Sequence, residues 1–146
     1  MKYLLATNVI SEVRKSHGNA RVKAWFDATP PDDLYMSVLT MGEIRRGIER
    51  LRRRDPAQAN MFDDWLGGLL QEFAEHLLLV TAEVADAWGR LGVPDPVPTV
   101  DGLLAATARV GGLTLVARQS SSLRPFPAKP PRSSAPARTT RRLAAL

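Results

Sequence analysis

Residues 3–12 read Tyr-Leu-Leu-Ala-Thr-Asn-Val-Ile-Ser-Glu. Tyr3-Leu4-Leu5 is an apolar run suited to burial on both faces of a sheet. Thr7-Asn8 halts it, and Val9, Ile10 and Val13 restart an apolar stripe at helical spacing. The stretch predicts a strand over about Lys2–Leu5 that turns into a helix capped by Thr7 or Asn8. In α/β proteins ligands sit at such strand ends. The residue standing there, Ala6, has no functional group.

The same alternation continues down the chain. Asn19 is placed to cap a helix over Ala20–Ala28, and Pro30-Pro31-Asp32-Asp33 turns into a second strand, Leu34–Val38. Thr40-Met41-Gly42-Glu43 matches a T-x-x-E capping box in front of a helix to about Arg54. Asp55-Pro56 ends it. A long amphipathic helix follows from Ala57 to about Glu75, with Gly67-Gly68 as a point of bending. Leu77–Val80 reads as a third strand, and Thr81 as the cap of a helix over Ala82–Leu91. Pro94, Pro96 and Pro98 stiffen the next loop. Asp101 heads a helix over Gly102–Val110, Gly111-Gly112 stops it, and Leu113–Val116 is a fourth strand. Short apolar strands alternating with helices imply an α/β fold with a parallel sheet covered on both faces.

With 146 residues, one domain with a substantial core is expected. No cysteine is present, which excludes disulfides and thiolate metal sites and fits a cytoplasmic protein. The opening apolar run is too short for a signal peptide, and no stretch is long enough to span a bilayer. The net charge of +5 is unevenly placed. Residues 1–116 hold 13 Lys/Arg against 15 Asp/Glu, a net −2, whereas residues 117–146 hold 7 Lys/Arg and no acid. The basic character therefore belongs to the tail and not to the folded surface. Residues 119–146, rich in Pro, Ser, Arg and Ala, sustain no hydrophobic period and read as irregular or disordered. The domain is expected to span 1–118.

The polar residues that fall at the carboxyl ends of the strands are Thr7-Asn8, Thr40 with Glu43, Asp101 and Arg118. Two carboxylates from distant segments could meet on one edge. Oxygen ligands of this kind suit a hard divalent cation, which supports attack of water on a phosphodiester. The alternatives are local: Glu43 closing a capping box, and Asp101 favouring a helix N-terminus through the dipole.

Tyr3–Glu12 resembles the opening of PIN-domain ribonucleases, especially the VapC-like toxins of toxin–antitoxin pairs, which normally read L-L-D-T-N-V-I-S-E. Val38-Leu39-Thr40-Met41-Gly42-Glu43-Ile44 resembles the second motif of that family, and Thr99–Ala108, with Asp101, the third. Leu113–Val116 resembles the strand before its last motif. The similarity covers residues 1–118 in order. It implies an α/β/α sandwich, Mg²⁺ or Mn²⁺ held by acids, cleavage of RNA, homodimers, and a VapB-like antitoxin partner. Carried over, Glu43 and Asp101 match metal ligands and catalytic acids, and Thr7 and Asn8 match the polar residues beside the first acid. That first acid falls on Ala6, and no acid follows Asp101 where a fourth is usual. The resemblance thus implies a toxin-type endoribonuclease impaired by Ala6. The alternative is a catalytically dead protein that binds an antitoxin as a decoy or co-repressor. A different doubly wound module is a weaker third reading, and the absence of a glycine-rich phosphate loop counts against a nucleotide site.

Arg45, Arg46, Arg50, Arg52, Arg53 and Arg54 crowd one helix. RNA contact is expected of Arg45 and Arg46, one turn from Glu43, and of Arg118. The rest read as a solvated face with a Glu49–Arg53 pair. The stripe from Met61 and Phe62 to Phe73 reads as core, with a groove for a partner helix as the alternative. His17 and His76 are isolated and are not assigned to metal.

Overall fold

A computed structural model describes residues 1–15, 17–119 and 122–125. The strands are β1 (Tyr3–Leu5), β2 (Leu34–Ser37), β3 (Leu77–Leu78), β4 (Thr114–Gln119) and β5 (Ser122–Pro125), in sheet order β3-β2-β1-β4-β5. The first four are parallel. β1 lies at the centre, with Leu5 opposite both Met36 and Val116. β5 pairs antiparallel with β4, Arg118 opposite Leu123. Proline fits such a strand only at an edge, where no ladder donor is required of it. The expectation of an irregular tail from residue 119 is corrected at its start, since Gln119 ends β4 and Ser122–Pro125 pairs with it, and residues 126–146 lie outside the described residues.

The helices are α1 (Thr7–Arg14), α2 (Ala20–Ala28), α3 (Val38–Arg52), α4 (Pro56–Glu72), α5 (Ala82–Leu91) and α6 (Thr99–Gly111). The period of two along β1 separates two cores. Tyr3 and Leu5 face one side with Met36, Val116 and residues of α1 to α4. Leu4 and Ala6 face the other with Leu115, Ala117 and Leu104, Ala105 and Ala108 of α6. This is the expected α/β/α sandwich. No helix among the described residues is long and apolar enough to cross a membrane.

Four local expectations are corrected. The cap of α1 is Ala6, with no side-chain capping bond, and not Thr7 or Asn8. The cap of α3 is Ser37, whose Oγ accepts from Leu39 N at 3.1 Å, so Thr40 and Glu43 form no capping box. Both shifts have one cause. The chain enters each helix directly from the last strand residue, and residues read as caps land inside the first turns. Third, α4 spans Pro56–Glu72 and so ends three residues before Glu75. Fourth, β3 stops at Leu78 because it is an edge strand paired only with the end of β2, leaving Leu79 and Val80 exposed. The caps at Asn19 and Thr81 fall where expected.

The arginine-rich face of α3 is fastened to α4. Asp63 accepts from both Arg45 and Arg52, and Glu49 pairs with Arg52 at 3.2 Å and Arg45 at 3.4 Å, not with Arg53. Hydrogen bonds from Arg52 first, and then Arg45, hold the Asp63 carboxyl below the usual range. Glu49 is lowered in the same way. A depressed carboxyl contributes stability above its unfolded pKa and loses it as pH falls through the folded value. Asp63→Asn should therefore melt below the parent at neutral pH, with the gap closing below the ordinary carboxylate range. A gap in Tm that is constant across pH would show that the pairs add no stability.

Candidate active site at the carboxyl edge of the sheet

Ala6 is half strand and half helix. Its N–H donates to Val116 O at 2.9 Å, extending the β1–β4 ladder, while its carbonyl accepts from Val9 N at 3.1 Å. One residue on, the half-buried Thr7 turns its hydroxyl across to α3, and Oγ1 donates to Oε1 of Glu43 at 2.8 Å. Residues 36 positions apart thus meet beside Ala6. Thr7 is free for this because it caps nothing. Glu43 is free to accept because Ser37 has already capped α3. Thr40 is wholly buried in the first turn of α3, with no hydrogen-bond partner for Oγ1.

Asp101 reaches the same edge from the other layer. Because α6 leads into the parallel strand β4, it runs against the strands and starts at their carboxyl ends. Asp101 is exposed in its first turn, three and four residues before Leu104 and Ala105, which share a cluster with Ala6. The helix begins at Thr99, three residues earlier than expected, with Pro98 at the cap. Gly102 is needed here: a Cβ on it would lie 2.7 Å from Val97 Cγ2 and 3.0 Å from Trp88 Cδ1. Gly102→Ala should destabilise by about 1 kcal/mol, overpacking of roughly 1–3 kcal/mol offset by the helix preference for alanine. A urea midpoint that rises would refute the close contact.

The remaining expected residues are distributed unevenly. Asn8 lies on the exposed side of the first turn of α1. Arg46 is exposed and makes no ion pair among the described residues, whereas Arg45 is engaged by Asp63 and Glu49. The side chain of Arg118 lies outside the described residues. Glu12, which closes the opening motif, sits at the other end of α1. It is buried there, Oε1 accepting from Asn19 N at 2.7 Å and Oε2 pairing with Lys15 at 3.5 Å. Its role is to fasten α1 to α2. His76 is used structurally, its Nδ1 2.8 Å from Leu34 O and its ring stacked on Tyr35.

Glu43 and Asp101 supply the oxygen chemistry that a hard divalent cation takes, and one or two carboxylates with water and phosphate can suffice for Mg²⁺. Among the described residues, however, no group of three or more acidic, histidine or cysteine side chains gathers into a metal cage.

Sequence reasoning missed Arg14. Its only signal is spacing: Thr7, Ser11 and Arg14 recur at four and three residues and line one face of α1. Together with Glu43 they border a groove between α1, α3 and α4.

Comparison with known proteins places the fold in a family. The PIN domain family model matches residues 3–120. The toxin FitB of Neisseria gonorrhoeae is 30% identical over 125 residues, 82% of this chain and 88% of that one. The VapC ribonuclease Y4jK of Sinorhizobium fredii is 32% identical over 122 residues, 81% of this chain and 87% of its own length. The crystal structure of FitAcB from Neisseria gonorrhoeae superposes with a TM-score of 0.74 at 32% identity, covering 80% of this chain and 87% of that one. The family model spans most of the chain, and relatives at least 30% identical cover about four-fifths of it: the chain belongs to the PIN-domain family.

Proposed function

We propose that this chain is the toxin component of a type II toxin–antitoxin pair, built as a Mg²⁺- or Mn²⁺-dependent endoribonuclease and impaired in catalysis by the alanine at position 6. The relatives named as a toxin and as a VapC ribonuclease support the class. The observation that carries the site is the Thr7–Glu43 hydrogen bond beside Ala6, at the edge where Asp101 also emerges.

Glu43 and Asp101 would hold the cation. When bound, it would neutralise phosphate charge and raise the acidity of a water. The chain's own contribution is orientation. Thr7 fixes one oxygen of Glu43 and leaves the other to a ligand, and the rigid start of α6 carries Asp101. A homodimer and a VapB-like antitoxin complete the proposed assembly.

The absence of a third acid favours one further reading, a protein that retains antitoxin binding without catalysis. RNA cleavage by this chain and by Ala6→Asp, in Mg²⁺ and in Mn²⁺, decides between them. Cleavage gained on substitution supports the impaired enzyme. A folded Ala6→Asp that cleaves no RNA, and still cleaves none once an acid is restored beyond β4, leaves the binding protein.

A further inference from the structure

We propose that the groove leading from Thr7 and Glu43 is the track of a single RNA strand, and that Arg14 binds one of its phosphates. The ligand class rests on the ribonuclease reading above, and the location rests on the groove itself.

The groove encloses about 470 Å³ between α1, α3 and α4. Its two ends differ in charge. Thr7 and Glu43 form one end. Arg14, seven residues along α1 and so roughly 10 Å away, stands towards the other, and Arg54 also lines the groove. The Arg14 guanidinium lies 4.3 Å from the Phe62 ring centroid and 5.6 Å from that of Trp65. It makes no ion pair among the described residues, in contrast with Arg45 and Arg52. Its partial burial lowers its pKa, so the charge is held at a desolvation cost that no carboxylate offsets. A guanidinium packed on two rings, partly dehydrated and lacking a counter-ion, is preorganised to accept an anion.

The floor is also open. Gly47 faces the groove, and a Cβ there would meet nothing within 4 Å. A strand whose reacting phosphate sits over the Glu43–Asp101 edge would place a neighbouring phosphate on Arg14. A carboxylate from a partner protein could also meet Arg14, and the peptide arm of the test below distinguishes that source. Ser11 and Gln58 offer hydrogen bonds to a nucleic-acid backbone, and Ile44, Ile48 and Leu51 offer apolar surface to its bases.

The test uses the full chain and a fluorescent single-stranded oligouridylate, with binding followed by anisotropy over a salt series. Impaired cleavage allows equilibrium to be read directly. Arg14→Gln should weaken binding roughly tenfold, the size of one hydrogen-bonded charge. It should also lower the salt slope by about 0.7, the share of one phosphate on a single strand. Arg14→Lys should restore the slope without full affinity. Gly47→Gln should weaken binding with no change of charge. Arg109→Gln, on exposed α6 surface, should change nothing. Melting temperatures of each variant separate loss of binding from loss of fold.

Unchanged affinity in both Arg14→Gln and Gly47→Gln overturns the proposal, as does failure of the chain to bind the oligonucleotide. It is also overturned if Arg14→Gln spares RNA and weakens only binding of an oligoglutamate peptide, since the groove would then serve a protein partner. The two readings fail separately. Cleavage by Ala6→Asp with a KM that Arg14→Gln does not move keeps the ribonuclease and discards the track. Binding that depends on Arg14, with no cleavage by Ala6→Asp even after an acid is restored beyond β4, keeps the track and discards the ribonuclease.

Discussion

Ala6→Asp should raise metal-dependent RNA cleavage by roughly 100-fold or more. Disturbing even the partners of metal ligands costs 10–100-fold, and a missing ligand costs at least as much. The backbone is already suited to the change. Position 6 has φ −77° and ψ 161°, an extended conformation at a helix N-cap, where aspartate is among the preferred residues. The new side chain would leave Ala6 N bonded to Val116 O and would add a carboxylate at the edge where Glu43 and Asp101 emerge. Without metal, a capping gain of about 1 kcal/mol is opposed by repulsion among the acids. With Mg²⁺ or Mn²⁺ that repulsion becomes affinity. A cation at a hundredfold excess over its Kd stabilises by about 2.7 kcal/mol, so the melting temperature of the variant should rise with metal far more than that of the parent. If the variant shows neither a metal-dependent rise in Tm nor cleavage, this edge is not a metal centre.

Much of this was legible in ten residues. The run Tyr3-Leu4-Leu5 fixes a buried central strand because no polar side chain interrupts it, and the alternation that follows leaves few topologies open. Glu43 and Asp101 could be placed at one edge because parallel strands with helical crossovers bring successive helix starts together. What could not be read was the local geometry that frees these residues for chemistry. Thr7 and the Thr40–Glu43 pair satisfy the rules for caps, and those rules carry no information on where a strand ends. Only when Ala6 and Ser37 are seen to occupy the cap positions does the hydroxyl of Thr7 become available to Glu43. Arg14 was hidden for a related reason. Its distinction from Arg45 and Arg52 is that the acids of the facing helix pair with them and not with it, a tertiary fact with no trace in spacing. The edge strand β5 escaped as well, because its pairing is made by backbone groups of β4 and not by any apolar period in Ser122–Pro125.

In the Ala6→Asp background, Glu43→Gln should return cleavage to the level of the parent, a loss of about 100-fold, while Thr7→Val should cost only about tenfold. The difference follows from what each change removes. Glutamine keeps the shape of Glu43 and an oxygen that can still accept from Thr7 Oγ1, but it deletes a unit of negative charge and weakens a ligand of the metal. Valine matches the shape of threonine and keeps its branched side chain in the first turn of α1. It deletes only the donor that orients the carboxylate, so Glu43 keeps its charge and loses its fixed direction. Both positions are half-buried, so neither substitution opens a core cavity. A Mn²⁺ titration should therefore show affinity falling further for Glu43→Gln than for Thr7→Val. A Thr7→Val loss equal to that of Glu43→Gln would make the hydroxyl itself a ligand. No loss from Thr7→Val would mean that the 2.8 Å hydrogen bond holds the apo site together and contributes nothing once metal is bound.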